Sequence, residues 1–455
     1  MMDAFFDPKS VAIIGASHTS GKIGYEILKN FVKGGYEGKI YPINPDTKPI
    51  MGIKVYSTIG RIPDDIDLAV IATPAKTTPE LLKDCVEKKV KGVVIVAGGF
   101  AESGEEGADL EKKLKEIVKG SKTRIMGPNC LGVYDPYSKI DTLFNPRERM
   151  NRPDTGSIGF VSQSGSVGIT ILDHMAEEKM GISKFISYEN AVDIDETDCI
   201  EHLGKDERTK MIVLFLEGVK DGRRFIDVAK DVTKKKPIIA LKGGKSKAGI
   251  RAAASHTGVL AGSSKIYSGA FKQAGILEAN EWDDLFDHTK ALLQPLPKGK
   301  RVAIITNGGG FGVLAADECG RLGIELPEVP DDIRKKLKKI VPPHIILNNP
   351  IDLTGSSTKE WYEIAMRECL RSDKFDGLLL ITILSTPLLS ESITDSIIKM
   401  KKFKKPIIVC TIGGMFTINL VRILEAEGIP VYPTPERAAQ SMAAIVNYGQ
   451  MVKKD

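Results

Sequence analysis

The sequence predicts an α/β protein made of three doubly wound units in series. Short β-branched apolar runs alternate with charged amphipathic stretches along the whole chain. A glycine-rich turn follows the leading apolar run of each unit. Two charged, Pro-containing segments interrupt the pattern, 145–156 (NPRERMNRPDTG) and the QPLPKGK stretch that begins at Gln294. Strands and helices alternating at this spacing imply parallel sheets joined by crossover helices, and the interruptions mark two boundaries. The expected divisions are therefore 1–146, 147–295 and 296–455.

In the first unit the apolar runs at 10–14, 39–43, 67–72, 91–97 and 123–126 predict strands, with helices over 22–33 and 78–89. The second unit places strands near 157–161, 183–187, 210–216 and 236–241. The third opens at 301 (RVAIIT), repeats the pattern at 377–383, 406–411 and 429–432, and closes with a helix over 435–449.

Composition narrows the function. The chain has 455 residues, enough for two to four domains, and its 64 basic and 59 acidic side chains nearly cancel. No basic block is interleaved with aromatics, so nucleic acid is not the expected partner. Six scattered cysteines (85, 130, 199, 319, 369 and 410) form no C-x-x-C pair. They argue for buried inert thiols in a reducing compartment, without a zinc site or a disulfide framework. No run approaches the ~20 apolar residues that cross a bilayer, and MMDAFFDPKSVAIIG is not a secretory signal. A cytoplasmic protein with no membrane association is expected, and no metal site.

The first glycine turn, VAIIGASHTSGKIGYEIL, carries Gly15, Gly21 and Gly24. It suits a phosphate at a helix N-terminus, and a purely structural tight turn equally well. A dinucleotide fold expects an acid at the end of the second strand; here that strand end reads Asn44-Pro45, with Lys48 close by, which better suits a phosphorylated ribose. The second turn, SQSGSVG at 162–168, offers amides and hydroxyls to an anion, or simply an N-cap. The third turn has three consecutive glycines, 308–310, and close approach to a ligand or to another backbone would explain them. None is a P-loop, so the chain lacks the usual equipment for ATP phosphates.

Of six histidines, 174, 202 and 288 sit in helical patterns as ordinary side chains. His18 lies in the first turn, where ligand contact and solvation are both open. His256 stands among small residues in KGGKSKAGIRAAASHTGVLAG, with Lys242, Lys245, Lys247 and Arg251 ahead of it. That setting fits an accessible nucleophile toward a phosphoryl group, and it also fits a plain surface loop.

Taken together, SVAIIGAS with GKIG, YPINP, IMGPNCLG, FVSQSGSVG, FLEGVKDGR, LKGGKS with ASHTG, ITNGGGFG and NPIDLTG occur in an order that resembles one family. It is the α-subunit family of archaeal-type ADP-forming acetyl-CoA synthetases, within the superfamily that includes succinyl-CoA synthetase. The resemblance covers nearly the whole chain. It implies a Rossmann-like CoA-binding domain followed by two flavodoxin-like domains. By motif position, Gly15, Ala16, Ser17, Lys22 and Ile23 would line CoA, with Asn44, Pro45 and Lys48 near its phosphorylated ribose. Ala97, Gly98, Gly99 and Phe100 would approach the pantetheine arm, and Pro128-Asn129-Cys130 its thiol end.

The resemblance further implies that phosphate is held by Gln163, Ser164 and Gly165 and by Asn307, Gly309 and Gly310. His256 matches the phosphorylated histidine and Glu217 the carboxylate that orients it; a strand-end acid paired with Lys220 or Arg223 is the other reading of Glu217. The implied activity is an acid–CoA ligase that interconverts acyl-CoA, ADP and phosphate with acid, CoA and ATP. ADP and Mg would lie on an ATP-grasp β subunit, in an α2β2 assembly. One departure stands out. The family usually shows Gly-Asn after the 183–187 strand, whereas this chain has Tyr188, Glu189 and Asn190, which puts a charge near the acyl group or phosphate. An NAD(P)-dependent oxidoreductase and a CoA-sensing relative without the relay are the competing readings.

Overall fold

The strands described in the computed structural model assemble into three sheets, and the longer of them overlap the apolar runs of the sequence. The structure describes residues 2–251 and 264–452, so His256 lies outside the described residues. By internal contacts the chain divides into two units, Met1–Glu278 and Ala279–Asp455.

The first sheet contains β1 (Ser10–Ile14), β2 (Lys39–Ile43), β3 (Leu68–Ile71), β4 (Gly92–Ile95) and β5 (Arg124–Met126) in the order β2-β1-β3-β4-β5. All its pairings are parallel. Strands β1, β3 and β4 are buried along their whole length, as expected where helices cover both faces. Of the helices α1 (Asp3–Phe6), α2 (Ile23–Gly34), α3 (Thr78–Glu87) and α4 (Glu105–Val118), α2 buries Ile27, Leu28 and Phe31 on one face.

The second sheet runs β12-β11-β10-β8-β9-β6-β7. Its parallel body is β8 (Thr155–Ser162), β9 (Ile182–Ser187), β10 (Met211–Leu216) and β11 (Ile238–Lys242), with β12 (Leu277–Ala279) at one edge. The other edge is antiparallel, made by β6 (Gly132–Asp135) and β7 (Ile140–Asp141). Residues 132–141, read from sequence as the tail of the first unit, thus complete the second sheet. The 145–156 segment is pinned there: the buried Asp141 carboxylate takes Arg147 at 2.8 Å and the buried Arg152 at 3.1 Å. Helices α5 (Gly165–Glu177), α6 (Glu196–Lys205) and α7 (Gly222–Thr233) connect the parallel strands.

In the second unit β13 (Val302–Thr306), β14 (Ile351–Asp352), β15 (Gly377–Ile381), β16 (Ile407–Cys410) and β17 (Val431–Tyr432) form a parallel sheet ordered β14-β13-β15-β16-β17. The helix Trp282–Leu292, which the sequence reading keeps in the 147–295 division, also makes contacts in this unit. Its buried Asp287 carboxylate receives Arg437 at 2.6 and 2.8 Å, and Asp287 O accepts from Tyr432 Oη. All six cysteines are free and buried, in agreement with the sequence reading.

Each sheet reverses its strand order beside its leading strand, β1, β8 or β13. Ligands of open α/β sheets bind outside the carboxyl ends of the strands at such a point, and each glycine-rich turn leaves the sheet there. Removing a partner from a buried ion pair leaves an uncompensated charge, so Asp141→Ala should lower the unfolding free energy by about 3–5 kcal/mol. Urea denaturation followed by circular dichroism checks this.

Candidate functional site

At the end of β1 the chain turns at Gly15, and Gly24 at the start of α2 lies directly against it. A Cβ on Gly24 would stand 1.9 Å from Gly15 O, so only glycine permits this approach of helix to strand. The turn is stitched to the segment after β2. Asn44 Nδ2 donates to Ala16 O at 2.6 Å, and His18 Nε2 lies 3.0 Å from Lys48 O. Asn44 Oδ1 in turn accepts from Asp46 N at 2.8 Å, which closes the turn that carries Lys48. The residues singled out at 15–17 and at 44–48 therefore form one surface. Lys22 precedes α2, whose first residue, Ile23, is exposed although apolar.

The 97–104 loop is organised by a residue the sequence reading passed over. Glu102 Oε1 accepts from Gly99 N at 2.6 Å and Phe100 N at 3.0 Å, while Glu102 Oε2 accepts from Asn190 Nδ2 at 2.7 Å. Asn190 Nδ2 also donates to Glu111 at 2.9 Å. The Phe100 side chain is wholly buried, so this residue can meet a ligand only through its backbone. Cys130 is buried as well; burial raises its thiol far above the usual range, which makes it inert rather than reactive.

The chain after β9 joins the first sheet to the second. Asn190 N, Val192 N and Ile194 N donate to Pro128 O, Gly127 O and Ile125 O at 3.4, 3.1 and 3.2 Å. Asp193 accepts from Ile125 N and from Arg124 Nε, and Arg124 also reaches Asp198 at 3.2 Å. Lys220, the suggested partner of Glu217, donates to Asn190 O and Ala191 O at 2.8 and 2.7 Å.

Four strand ends converge at the carboxyl edge of the second sheet. Gln163, after β8, accepts through Oε1 from Glu217 N at 2.7 Å and Gly218 N at 2.9 Å, and so fixes the turn that presents Glu217. The carboxamide oxygen of Gln163 is thus engaged with the protein itself. Lys242 ends β11, in register with Leu216. Burial pushes its amine below the usual range against the attraction of Glu217. Glu189, after β9, leans on the head of α5: Ser187 Oγ donates to it at 3.3 Å, and so does the Gly165 N–H. Burial is the main reason its pKa rises to about 8, and the charge of Glu217 adds to it. Glu196 rises to about 7, again chiefly through burial.

In the second unit, Asn307 is held by the chain after β15. It donates to Ile383 O at 3.1 Å and accepts from Ile383 N at 2.8 Å. The helix Gly309–Arg321 follows, with no side-chain cap, and Gly310 borders open space. His202, stacked on Phe6 with ring centroids 5.0 Å apart, is held down to about 4 by burial and is an ordinary half-buried side chain, as the sequence suggests. Among the described residues no group of three or more His, Cys, Asp or Glu could hold a metal, and no described helix is long and apolar enough to cross a membrane.

Because its folded-state pKa lies above the ordinary carboxyl value, Glu189 holds a proton in the folded chain that the unfolded chain has lost. This costs stability progressively as pH rises from about 4.5 to about 8. The stability advantage of Glu189→Gln over the unaltered protein should therefore grow across that window and then level, as measured by denaturation at stepped pH.

Three family models match the chain: a CoA binding domain over residues 9–136, a succinyl-CoA ligase like flavodoxin domain over 155–292 and a ligase-CoA domain over 302–450. The α subunit of acetate–CoA ligase [ADP-forming] II from Pyrococcus furiosus is 42% identical, over 99% of both chains. An acetate–CoA ligase [ADP-forming] from Methanocaldococcus jannaschii is 43% identical over 98% of this chain, which spans 63% of that longer protein. The solved dinucleotide-forming acetyl-coenzyme A synthetase 1 of Ca. Korarchaeum cryptofilum, in complex with phosphate and ADP, superposes with a TM-score of 0.94 at 37% identity, covering 100% of this chain and 98% of that one. On this sequence likeness over nearly its whole length, the chain belongs to the ADP-forming acetate–CoA ligase α-subunit family.

Proposed function

We propose that the chain is the CoA-binding catalytic subunit of an NDP-forming acid–CoA ligase, working through an acyl phosphate and a phosphohistidine at His256. The observation that carries this reading is the Gln163–Glu217 arrangement beside the head of α5. A carboxylate on a fixed backbone beside a helix start supports the reading, because a phosphorylated histidine needs both an orienting acid and N–H donors for its oxygens. CoA is the substrate of the first part of the chain. Gly15, Ala16, Ser17, Lys22 and Ile23 line it, Asn44, Pro45 and Lys48 face its phosphorylated ribose, and the backbone of 97–100 meets the pantetheine arm.

Phosphate displaces CoA from the acyl carbon, which forms an acyl phosphate and frees the thiol. The acyl phosphate then gives its phosphoryl group to a ring nitrogen of His256, and the acid leaves. Glu217 accepts the other ring N–H, fixes the tautomer and stabilises the imidazolium. Helix starts at Ser164-Gly165 and Gly309-Gly310 stabilise the transferring oxygens by their N–H groups, with Gln163 and Asn307 holding the turns around them. The three functional parts are 1–146, 147–295 and 296–455. Phosphohistidine is discharged on ADP with Mg, both held by an ATP-grasp β subunit, in an α2β2 assembly in the cytoplasm.

Co-expressed with such a subunit, the chain should form ATP from acyl-CoA, ADP and phosphate. His256→Ala should abolish this, and Glu217→Gln should slow it by at least about 100-fold; full activity in His256→Ala would contradict the mechanism. Calorimetric titration tests the CoA surface. Lys48→Glu should weaken CoA about tenfold while leaving dephospho-CoA unaffected, and NADH should not bind.

A further inference from the structure

Glu189 stands where the first N–H of α5 would otherwise meet an anion. Its Oε1 would lie 2.6 Å from a Cβ at Gly165, so glycine at the helix head leaves room for this carboxyl group and for little else. The residue is 9% exposed, and its backbone φ of +43° lies in the left-handed region that favours glycine. A glutamate is thus held in a disfavoured conformation with its acid group against the amide that the functional reading assigns to phosphate.

The arrangement has a counterpart in the second unit. There Asp352, at the end of β14, brings Oδ2 to 2.7 Å from a Cβ built on Gly309, the first residue of its helix. β9 and β14 occupy the same place, beside the leading strand of their sheets. In each of these two sheets a carboxylate at or just beyond the end of the strand beside the leading one therefore stands against the helix start that follows the leading strand.

We propose that Glu189 is a positioning residue that fills the anion place at the head of α5, so that inorganic phosphate must displace its carboxyl group to bind. The proposal rests on the ligase reading. Around the carboxyl group stand Ser187 of β9, Gly165 of α5, Glu217 after β10, and Cys130 and Glu102 of the first sheet's loops. The charged groups among them are carboxylates, which disfavour the charged form of Glu189 and ease its departure.

The test uses the full chain with its partner subunit and varies inorganic phosphate at saturating ADP and acyl-CoA. Glu189→Gly, which suits the left-handed backbone, should lower the KM for phosphate about tenfold with no matching fall in the KM for acyl-CoA. Glu189→Gln, a neutral group of the same shape, should fall between the two. Calorimetric titration of the full chain with inorganic phosphate should give the same order without any turnover. An unchanged or higher phosphate KM in Glu189→Gly would overturn the proposal, because it would make the carboxyl group inert or a ligand of phosphate itself. If the unaltered protein neither binds phosphate nor forms ATP, the ligase reading falls and takes this proposal with it.

Discussion

The arrangement of the whole site depends on one stretch of backbone pairing, the strand-like bonding of residues 190–194 onto 125–128. These bonds fasten the turn after β9 to the free edge of the first sheet, and Asp193 reinforces them by taking both Ile125 N and Arg124. Asn190 then reaches Glu102 and Glu111, so the 97–104 loop of the first sheet is tied to the carboxyl edge of the second. A shared apolar core also packs the two sheets together, but this join is what links the edge of the first sheet to the turn after β9 through backbone bonds. Positioning to within a fraction of an ångström is what group transfer demands, and a ladder of backbone bonds supplies it without depending on side-chain rotamers.

The same join explains the electrostatics. Drawing β6 and β7 into the second sheet and closing 190–194 over the first buries Glu189, Glu196 and Tyr188 together near Glu217. Carboxyl groups gathered in this way rise in pKa because burial and like charge act in the same direction. Lys242, buried on the neighbouring strand, supplies a cation to the same edge. The edge is therefore arranged around movable protons and anions, which suits phosphoryl chemistry.

Much of this was legible in the sequence, and what was not had a common cause. The buried parallel strands announce themselves by β-branched runs, the three leading turns by their glycines, and the buried thiols by their apolar settings. Glu189 stood out as a charge in an unusual place. The roles of Glu102 and Asn190 depend on partners 88 residues apart, and no local pattern reports such a bond. The contact of helix Trp282–Leu292 with the end of the chain rests on Asp287 meeting Arg437, 150 residues away. β6 and β7, four and two residues long, are too short for a period to show, so their transfer to the second sheet left no trace. Phe100 reads as a loop residue because its burial comes from tertiary packing.

The proposed mechanism requires this chain itself to carry the phosphoryl group on one histidine. The most direct measurement is to incubate the full chain alone with phosphorus-labelled acetyl phosphate, digest it under alkaline conditions and locate the label by mass spectrometry. Acid-labile, alkali-stable phosphate is expected on His256 and on no other residue. Label on a carboxylate or a serine, or no label at all, would contradict it.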